Sequence, residues 1–218
     1  MHLLRVDASI RRESSHSQAV ADTFQRAWTG QHPDDDVTLH GLDANPLPYL
    51  TLDDLIASNT PVDQRTPEQR AAAGIATAVV DDVMAADVVL MAVPLYNWGT
   101  PALFKSWVDH VFNEVRVAGI EKPFAGRTGV LVSARGGCYQ PGAPREGWDH
   151  VVPYLKHVLG EQLGFDMRVI LIEFTLAGIN PALAGFMEEA KQSLADAHVA
   201  AERLAGELAG SLAVNAAP

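Results

Sequence analysis

Asp87-Val88-Val89-Leu90-Met91-Ala92-Val93-Pro94-Leu95-Tyr96-Asn97-Trp98-Gly99-Thr100-Pro101 decides how this chain is read. From Asp87 to Ala92 the segment is an apolar run, the pattern of a parallel strand covered on both faces. Two prolines and a glycine then stop the strand. Ala102 to Phe112 shows helical spacing. The segment therefore reads as strand, stiff loop, helix, with two aromatic rings and an amide at the carboxyl end of a central strand. In open α/β sheets, ligands bind in the crevice outside the carboxyl ends of the strands. Flat rings and an amide on a stiff loop suit a flat, hydrogen-bonding ligand.

The same alternation extends outward on both sides. Leu3 to Ala8, Val37 to Leu42, Thr128 to Ser133 and Met167 to Phe174 read as further strands. Ser17 to Trp28 carries Val20, Phe24 and Ala27 at helical spacing, and Trp148 to Leu163 and Pro181 to Leu208 also read as helices. Thr66-Pro67-Glu68 opens another helix, running to about Met84, with Thr as N-cap and Pro at the first helical position. Residues 44–66 are rich in Pro, Asp and Thr and read as irregular, with a short helix around Leu52 to Ala57. Five strands alternating with helices predict a three-layer α/β fold, a parallel sheet in the flavodoxin-like order 2-1-3-4-5 with helices on both faces. No internal repeat or linker splits the chain, so residues 1–208 are expected to form one domain. Residues 209–218 are expected to be a flexible tail.

The net charge of −11 argues against nucleic acid and anionic membrane surfaces as partners, because both reward clustered Lys and Arg. Cys138 is the only cysteine, so no internal disulfide forms and a reducing compartment is expected. No signal-peptide pattern opens the chain and no apolar run approaches the roughly 20 residues of a membrane helix. A cytoplasmic location is the expectation.

Three loops fall after strands and so converge on one sheet edge. Ser9-Ile10-Arg11-Arg12-Glu13-Ser14-Ser15-His16-Ser17 brings hydroxyls and guanidinium groups to the start of a helix, where free N–H groups and a partial positive charge attract phosphate. Ser14, Ser15 or Ser17 could equally be a plain N-cap. Tyr96-Asn97-Trp98 is the aromatic loop. Ser133-Ala134-Arg135-Gly136-Gly137 lets backbone approach a ligand closely. A Walker-type Gly-Lys-Ser/Thr and a Gly-x-Gly-x-x-Gly turn are both missing, which disfavours a nucleoside triphosphate and a dinucleotide in the usual manner. A phosphate end, a flat aromatic middle and a backbone-lined far edge match the shape of flavin mononucleotide (FMN).

These residues resemble the FMN-dependent NADH:quinone oxidoreductases and NADH-azoreductases of the flavodoxin-like superfold, over roughly residues 2–205. The family's Ser-x-Arg-x-x-Ser-x-Ser type loop corresponds to Ser9, Arg11 and the Ser14 to Ser17 cluster. Its Pro-Met/Leu-Tyr-Asn-Phe/Trp loop corresponds to Pro94, Leu95, Tyr96, Asn97 and Trp98, followed by Pro101 and Lys105. Its Ser/Ala-Arg-Gly-Gly loop corresponds to Ala134, Arg135, Gly136 and Gly137. The stretch Val115 to Phe124 departs from the family, being shorter and without its Gly-x-Thr-Phe, so the substrate side differs more than the cofactor side.

The resemblance implies electron transfer from NADH or NADPH, through bound FMN, to quinone or azo acceptors by a ping-pong mechanism. It implies Ser9, Ser15, His16 and Ser17 around the phosphate, with Arg11 adding charge. Pro94 to Trp98 would then line the ribityl chain and one ring edge, and Ala134 to Gly137 the other. It also implies a homodimer with the pocket at the interface, a contact for which Phe104, Trp107 and Phe112 are candidates. The flavin carries the chemistry in such enzymes, so no catalytic side chain is expected, Tyr96 and Asn97 serving at most to position ligands. No metal-ligand spacing is present. His110, His150 and His157 read as packing or surface residues and Cys138 as a small buried side chain. The alternatives are a flavin enzyme dedicated to one biosynthetic substrate and a non-catalytic electron-transfer protein.

Overall fold

A computed structural model describes residues 1–31 and 33–216. In chain order the elements are β1 (His2–Asp7), α1 (His16–Gln31), β2 (Asp36–Gly41), α2 (Leu52–Asn59), α3 (Pro67–Ala85), β3 (Val88–Ala92), α4 (Ala102–Asn113), β4 (Thr128–Ala134), α5 (Val152–Leu155), β5 (Asp166–Ile172) and α6 (Met187–Ala216). The strands form one parallel sheet in the order β2-β1-β3-β4-β5, as the alternation predicts.

Alternate strand residues feed two cores. Leu4, Val6, Val89, Met91 and Leu131 pack with α3, α4 and α5 on one face. Leu3, Val88, Leu90, Val130 and Val132 pack with α1 and α6 on the other. Every residue of β3 is buried, so each large side chain there contributes about 1.5–3 kcal/mol relative to exposure. The alanines at 197, 201, 205 and 209 form the buried stripe of α6, four residues apart and hence on one helix face.

The register positions the functional edge. Gly41, Asp7, Ala92, Val132 and Ile170 stand in one row across the sheet. The loops that leave β1 and β3 therefore start level, and β4 and β5 run two residues further, to Ala134 and Ile172.

β1 is less apolar than its run suggests. Arg5 and Asp7 are buried in it, joined by two hydrogen bonds of 2.9 and 2.8 Å. Arg5 also reaches Asp22 (2.6 Å) and Gln25 (3.0 Å) on α1. A buried charge needs such partners, because desolvation otherwise outweighs its attraction.

The expected helix 148–163 begins four residues later. Asp149 Oδ1 accepts the N–H groups of Val151 (2.9 Å) and Val152 (3.1 Å), so the helix starts at Val152. It continues from Lys156 to Gln162 with the wider π-helical turn. The chain from Pro181 to Phe186 is 3₁₀ and becomes α6 at Met187. The tail expected from 209 continues α6 to Ala216, and residues 217–218 lie outside the described residues. Thr66 caps α3 as expected, its side chain accepting from Gln69 N with Pro67 in the first turn.

α2 is turned inside out. Asp54 and Ala57 face inward, whereas Leu52, Leu55 and Ile56 are 71, 54 and 43% exposed. Asp54 earns its place as a cap, forming a reciprocal box with Thr51.

Candidate functional site

β1 ends at Asp7, and the chain crosses the carboxyl edge of the sheet through Ser9 and a tight 3₁₀ turn at Arg12 to Ser14. Arg12 holds φ 47° there and pairs with Asp43 at 2.9 Å. α1 then starts. Ser15 accepts the Gln18 N–H on its Oγ (3.3 Å) and the Ala19 N–H on its carbonyl (3.0 Å). It is the helix cap, and its hydroxyl also lies 3.2 Å from that of Ser17. Both serines are buried. The plain cap and the anion-binding loop are thus the same residues. Helix-start N–H groups lack intrahelical partners, so this turn offers donors and no acceptor charge.

After β3, Val93 and Leu95 still donate to Val132 and Ala134 of the β4 strand (2.9 Å each). The chain then reverses at once. Tyr96 and Gly99 exchange backbone hydrogen bonds of 3.1 and 2.9 Å across Asn97 and Trp98, whose φ angles are 48° and 64°. Two consecutive left-handed residues make a type I′ turn. Asn tolerates that conformation, whereas a Trp there is strained. Trp98 is held by Trp148, edge-on at 5.5 Å, and by the His150 N–H on its carbonyl at 3.1 Å. Tyr96 is fixed from below by Ser9, hydroxyl to hydroxyl at 3.1 Å.

After β4, Arg135 donates its N–H to Ile172 (2.7 Å). Its guanidinium turns inward between Asp149 (2.8 Å) and Glu173. The next two residues differ: neither Gly136 nor Gly137 places its N–H in a backbone hydrogen bond among the described residues. Gly136 cannot carry a side chain without displacing Leu176, whose Cδ1 lies 2.7 Å from where a Cβ would stand.

These loops enclose a cavity of about 510 Å³, inside the range of small-molecule sites, about 300–1,000 Å³. Ser9, Arg11, Ser15, His16, Ser17, Pro94, Leu95, Tyr96, Asn97, Ala134 and Gly136 line it, so the structure brings eleven of the fourteen expected site residues together. Trp98, Arg135 and Gly137 are outside the lining. Trp98 packs against Trp148, Arg135 is buried in its ion pairs, and Gly137 lines a neighbouring cavity. Ile10, after β1, and Thr175 and Leu176, after β5, complete the wall and are not among the residues the sequence singles out. The signal was available: they too follow a strand, at the same edge.

The lining holds no Asp or Glu. Arg11 and His16 are its basic side chains. Burial, helped by the nearby Arg11 and His198, holds the His16 imidazole below its ordinary value of 6.5. At neutral pH His16 is therefore an uncharged hydrogen-bonding group and Arg11 supplies the positive charge. Of the other histidines, His110 is buried on Pro48 O (2.9 Å) and His157 is an exposed partner of Glu161 (2.9 Å). Cys138 hydrogen bonds to Glu173 at 3.3 Å, and burial pushes its thiol up, which disfavours the reactive thiolate. No group of His, Cys, Asp and Glu able to hold a metal exists among the described residues.

The profile of the flavodoxin-like fold family matches residues 1–197. A protein of Frankia casuarinae named FMN-dependent NADH:quinone oxidoreductase is 40% identical over 92% of this chain and 96% of its own length. One of the same name from a Parafrankia species is 40% identical over 89% of this chain and 95% of its own. The chain belongs to this family. The crystal structure of an azoreductase from Bacillus anthracis str. Sterne superposes with a TM-score of 0.80 at 22% identity, covering 95% of this chain and 99% of that one. That likeness shows a shared fold.

Proposed function

We propose that this chain is an FMN-dependent oxidoreductase that passes electrons from NADH or NADPH to quinone or azo acceptors. One observation carries the reading: three loops from β1, β3 and β4 line one carboxylate-free cavity whose donors match a phosphate at one end and a flat ring at the other.

The residues present fit the group. Ser15, Ser17 and the first turn of α1 would hold the phosphate, with Arg11 offsetting its charge and His16 hydrogen bonding beside it. Ser9 would position Tyr96 rather than bind the flavin strongly itself, since their hydroxyls already meet. Tyr96 and Asn97 would border the ribityl chain and one edge of the ring, with Leu95 and Pro94 behind. The free Gly136 N–H would face the other edge, where negative charge collects on reduction. Bound there, FMN would supply two-electron exchange between NAD(P)H and a quinone or azo acceptor, in a ping-pong cycle. Overall, NAD(P)H, one proton and a quinone become NAD(P)⁺ and the hydroquinone.

The partner is a second copy. Phe104 and Trp107, candidates for that contact, are buried in the core, and Phe112 is 37% exposed. The outward apolar face of α2, with Tyr49 73% exposed just before it, is the better surface. It is pinned to α4 through Ser106 and His110, both bonded to Pro48 O (2.7 and 2.9 Å), and through Asn113 to Asp54 O (3.3 Å). Such a contiguous apolar patch marks an interaction surface. Among the described residues no helix is long and apolar enough to cross a membrane, and a cytoplasmic setting fits the single, non-bridged thiol.

The test is direct. Purified protein should be yellow and release FMN on denaturation. Steady-state oxidation of NAD(P)H with a quinone should give parallel double-reciprocal lines. A colourless protein that cannot be reconstituted with FMN would end the reading, and retained FMN without turnover would leave only an electron carrier.

A further inference from the structure

A second cavity, about 480 Å³, adjoins the first, and the two share Gly136 and Leu176 as a common wall. Tyr139, Pro144, Phe174, Leu183 and Phe186 make its walls mainly apolar and aromatic, with Asn180 and Cys138 as the uncharged polar groups beside them. Phe174 and Phe186 stack face to face at 4.9 Å and 9°. Phe174 holds φ 56°. An aromatic residue adopts that conformation only when its surroundings enforce it, and such strain gathers at ligand clamps. The loop from Gly137 to Arg145 forms the near wall, where Pro141, Gly142, Ala143 and Pro144 add no polar side chain.

One charged side chain lines this cavity, Arg145. Its guanidinium lies 5.7 Å from the ring of Trp98, at the junction with the Tyr96-Asn97-Trp98 loop. Glu146 and Glu173 are engaged with other groups: Glu146 accepts the Gly142 N–H (2.8 Å), and Glu173 is bound to Arg135 and Cys138. An apolar slot with a single cation is complementary to a planar aromatic body bearing one negative charge. The chain as a whole carries −11. Its general field repels such a molecule, so binding one requires a local cation.

We propose that this cavity is the acceptor pocket and that Arg145 selects planar aromatic acceptors carrying an anionic substituent such as a sulfonate or carboxylate. The proposal rests on the flavin reading above and adds the substrate class. Arg145 is a specificity residue; the reaction at the ring does not pass through it.

The test uses the flavin-loaded protein, oxidised and without NAD(P)H, so that nothing turns over. Calorimetric titration compares 1,4-naphthoquinone-2-sulfonate with the neutral 2-methyl-1,4-naphthoquinone. Arg145→Gln should weaken the sulfonate by about tenfold, the loss of one charge-assisted contact, and change the neutral quinone by less than about twofold. Arg145→Lys should recover part of the loss, and added salt should weaken the sulfonate alone. With NADH present, the same variant should raise KM for the sulfonate and leave kcat unchanged. Equal effects on both quinones, no effect on either, no binding to the loaded protein, or loss of flavin from Arg145→Gln would each overturn the assignment. A wild-type protein that binds no flavin fails the underlying reading instead, and its absorbance reports this before any quinone is added.

Discussion

The Ser9 hydroxyl and the Tyr96 hydroxyl, 87 positions apart in the chain, lie 3.1 Å from each other across the mouth of the sheet. The contact ties the phosphate-side loop to the aromatic loop, so neither can shift alone. Ser9→Ala and Tyr96→Phe should each weaken FMN binding by about three- to tenfold, the range of one neutral hydrogen bond. The double variant should lose little more than either single one, because both remove the same bond. Fluorescence titration of apoprotein with FMN measures all three, and additive losses would show that the two hydroxyls act independently.

Arg135 predicts a stability effect. Its side chain is 4% exposed and bridges Asp149 to Glu173. Arg135→Met leaves two carboxylates in a buried place without their cation and should cost about 3–5 kcal/mol. Arg135→Met with Glu173→Gln should recover part of that, since one uncompensated charge is gone. Urea unfolding midpoints decide it. An Arg135→Met protein as stable as the parent would mean that water or backbone movement already compensates these groups.

The contrast between Arg135 and Gly136 shows where the sequence is readable. The β3 run, the alternating helices and the 2-1-3-4-5 order follow from apolar periodicity and the handedness of parallel crossovers, both local rules. Ser15 and Ser17 were legible because a helix start announces itself. The inward turn of Arg135 was not legible: its partners stand 14 and 38 residues away, and no local pattern selects them. The buried Arg5–Asp7 pair is hidden for the same reason, its further anchor Asp22 lying on another element. Thr175 and Leu176 carry no motif, and only the extension of β5 to Ile172 brings them to the cavity. The left-handed Trp98 contradicts local propensity and is held by Trp148, fifty residues on.

His16 makes stability depend on pH. Its folded value lies below 6.5, chiefly through burial. Between the two values the unfolded chain binds a proton that the fold rejects, so stability falls as pH drops through 6.5 toward the lowered value and is regained above 6.5. His16→Asn should flatten this slope in flavin-free protein. Urea midpoints at several pH values from about 5 to 8 measure it, and an unchanged slope would assign the dependence to other groups.

The exposed apolar face of α2 predicts the assembly. Leu55 is 54% exposed, so Leu55→Asp removes no core packing. In a dimer built on this face the substituted carboxylate would be buried without a partner, which interfaces do not tolerate. Light scattering after size exclusion should show a dimer for the parent and a monomer for the variant, with unchanged circular dichroism. A dimeric Leu55→Asp protein would move the interface elsewhere.

Two glycines, Gly164 in the turn before β5 and Gly129 in the core, separate backbone strain from side-chain crowding. At Gly164, φ is +88° and an added Cβ would stand 2.8 Å from Lys122 Cβ, 3.1 Å from Ala125 N and 3.2 Å from Lys122 Cα. Those neighbours are backbone or fixed to it, so neither the conformation nor the contact can relax. At Gly129, in β4, the nearest atoms are Met167 Sδ (2.8 Å), Met91 Cε (3.2 Å) and Phe165 Cβ (3.4 Å). The two closest are ends of flexible thioether chains, which repack readily. Gly164→Ala should therefore cost about 2–4 kcal/mol, combining a strained left-handed residue with overpacking. Gly129→Ala should cost about 1 kcal/mol or less, since it also lowers the entropy of the unfolded chain. Paired urea unfolding curves check the order. If Gly129→Ala proves the more damaging, the methionines at 91 and 167 are locked, and the core between β3, β4 and β5 is stiffer than their chemistry requires.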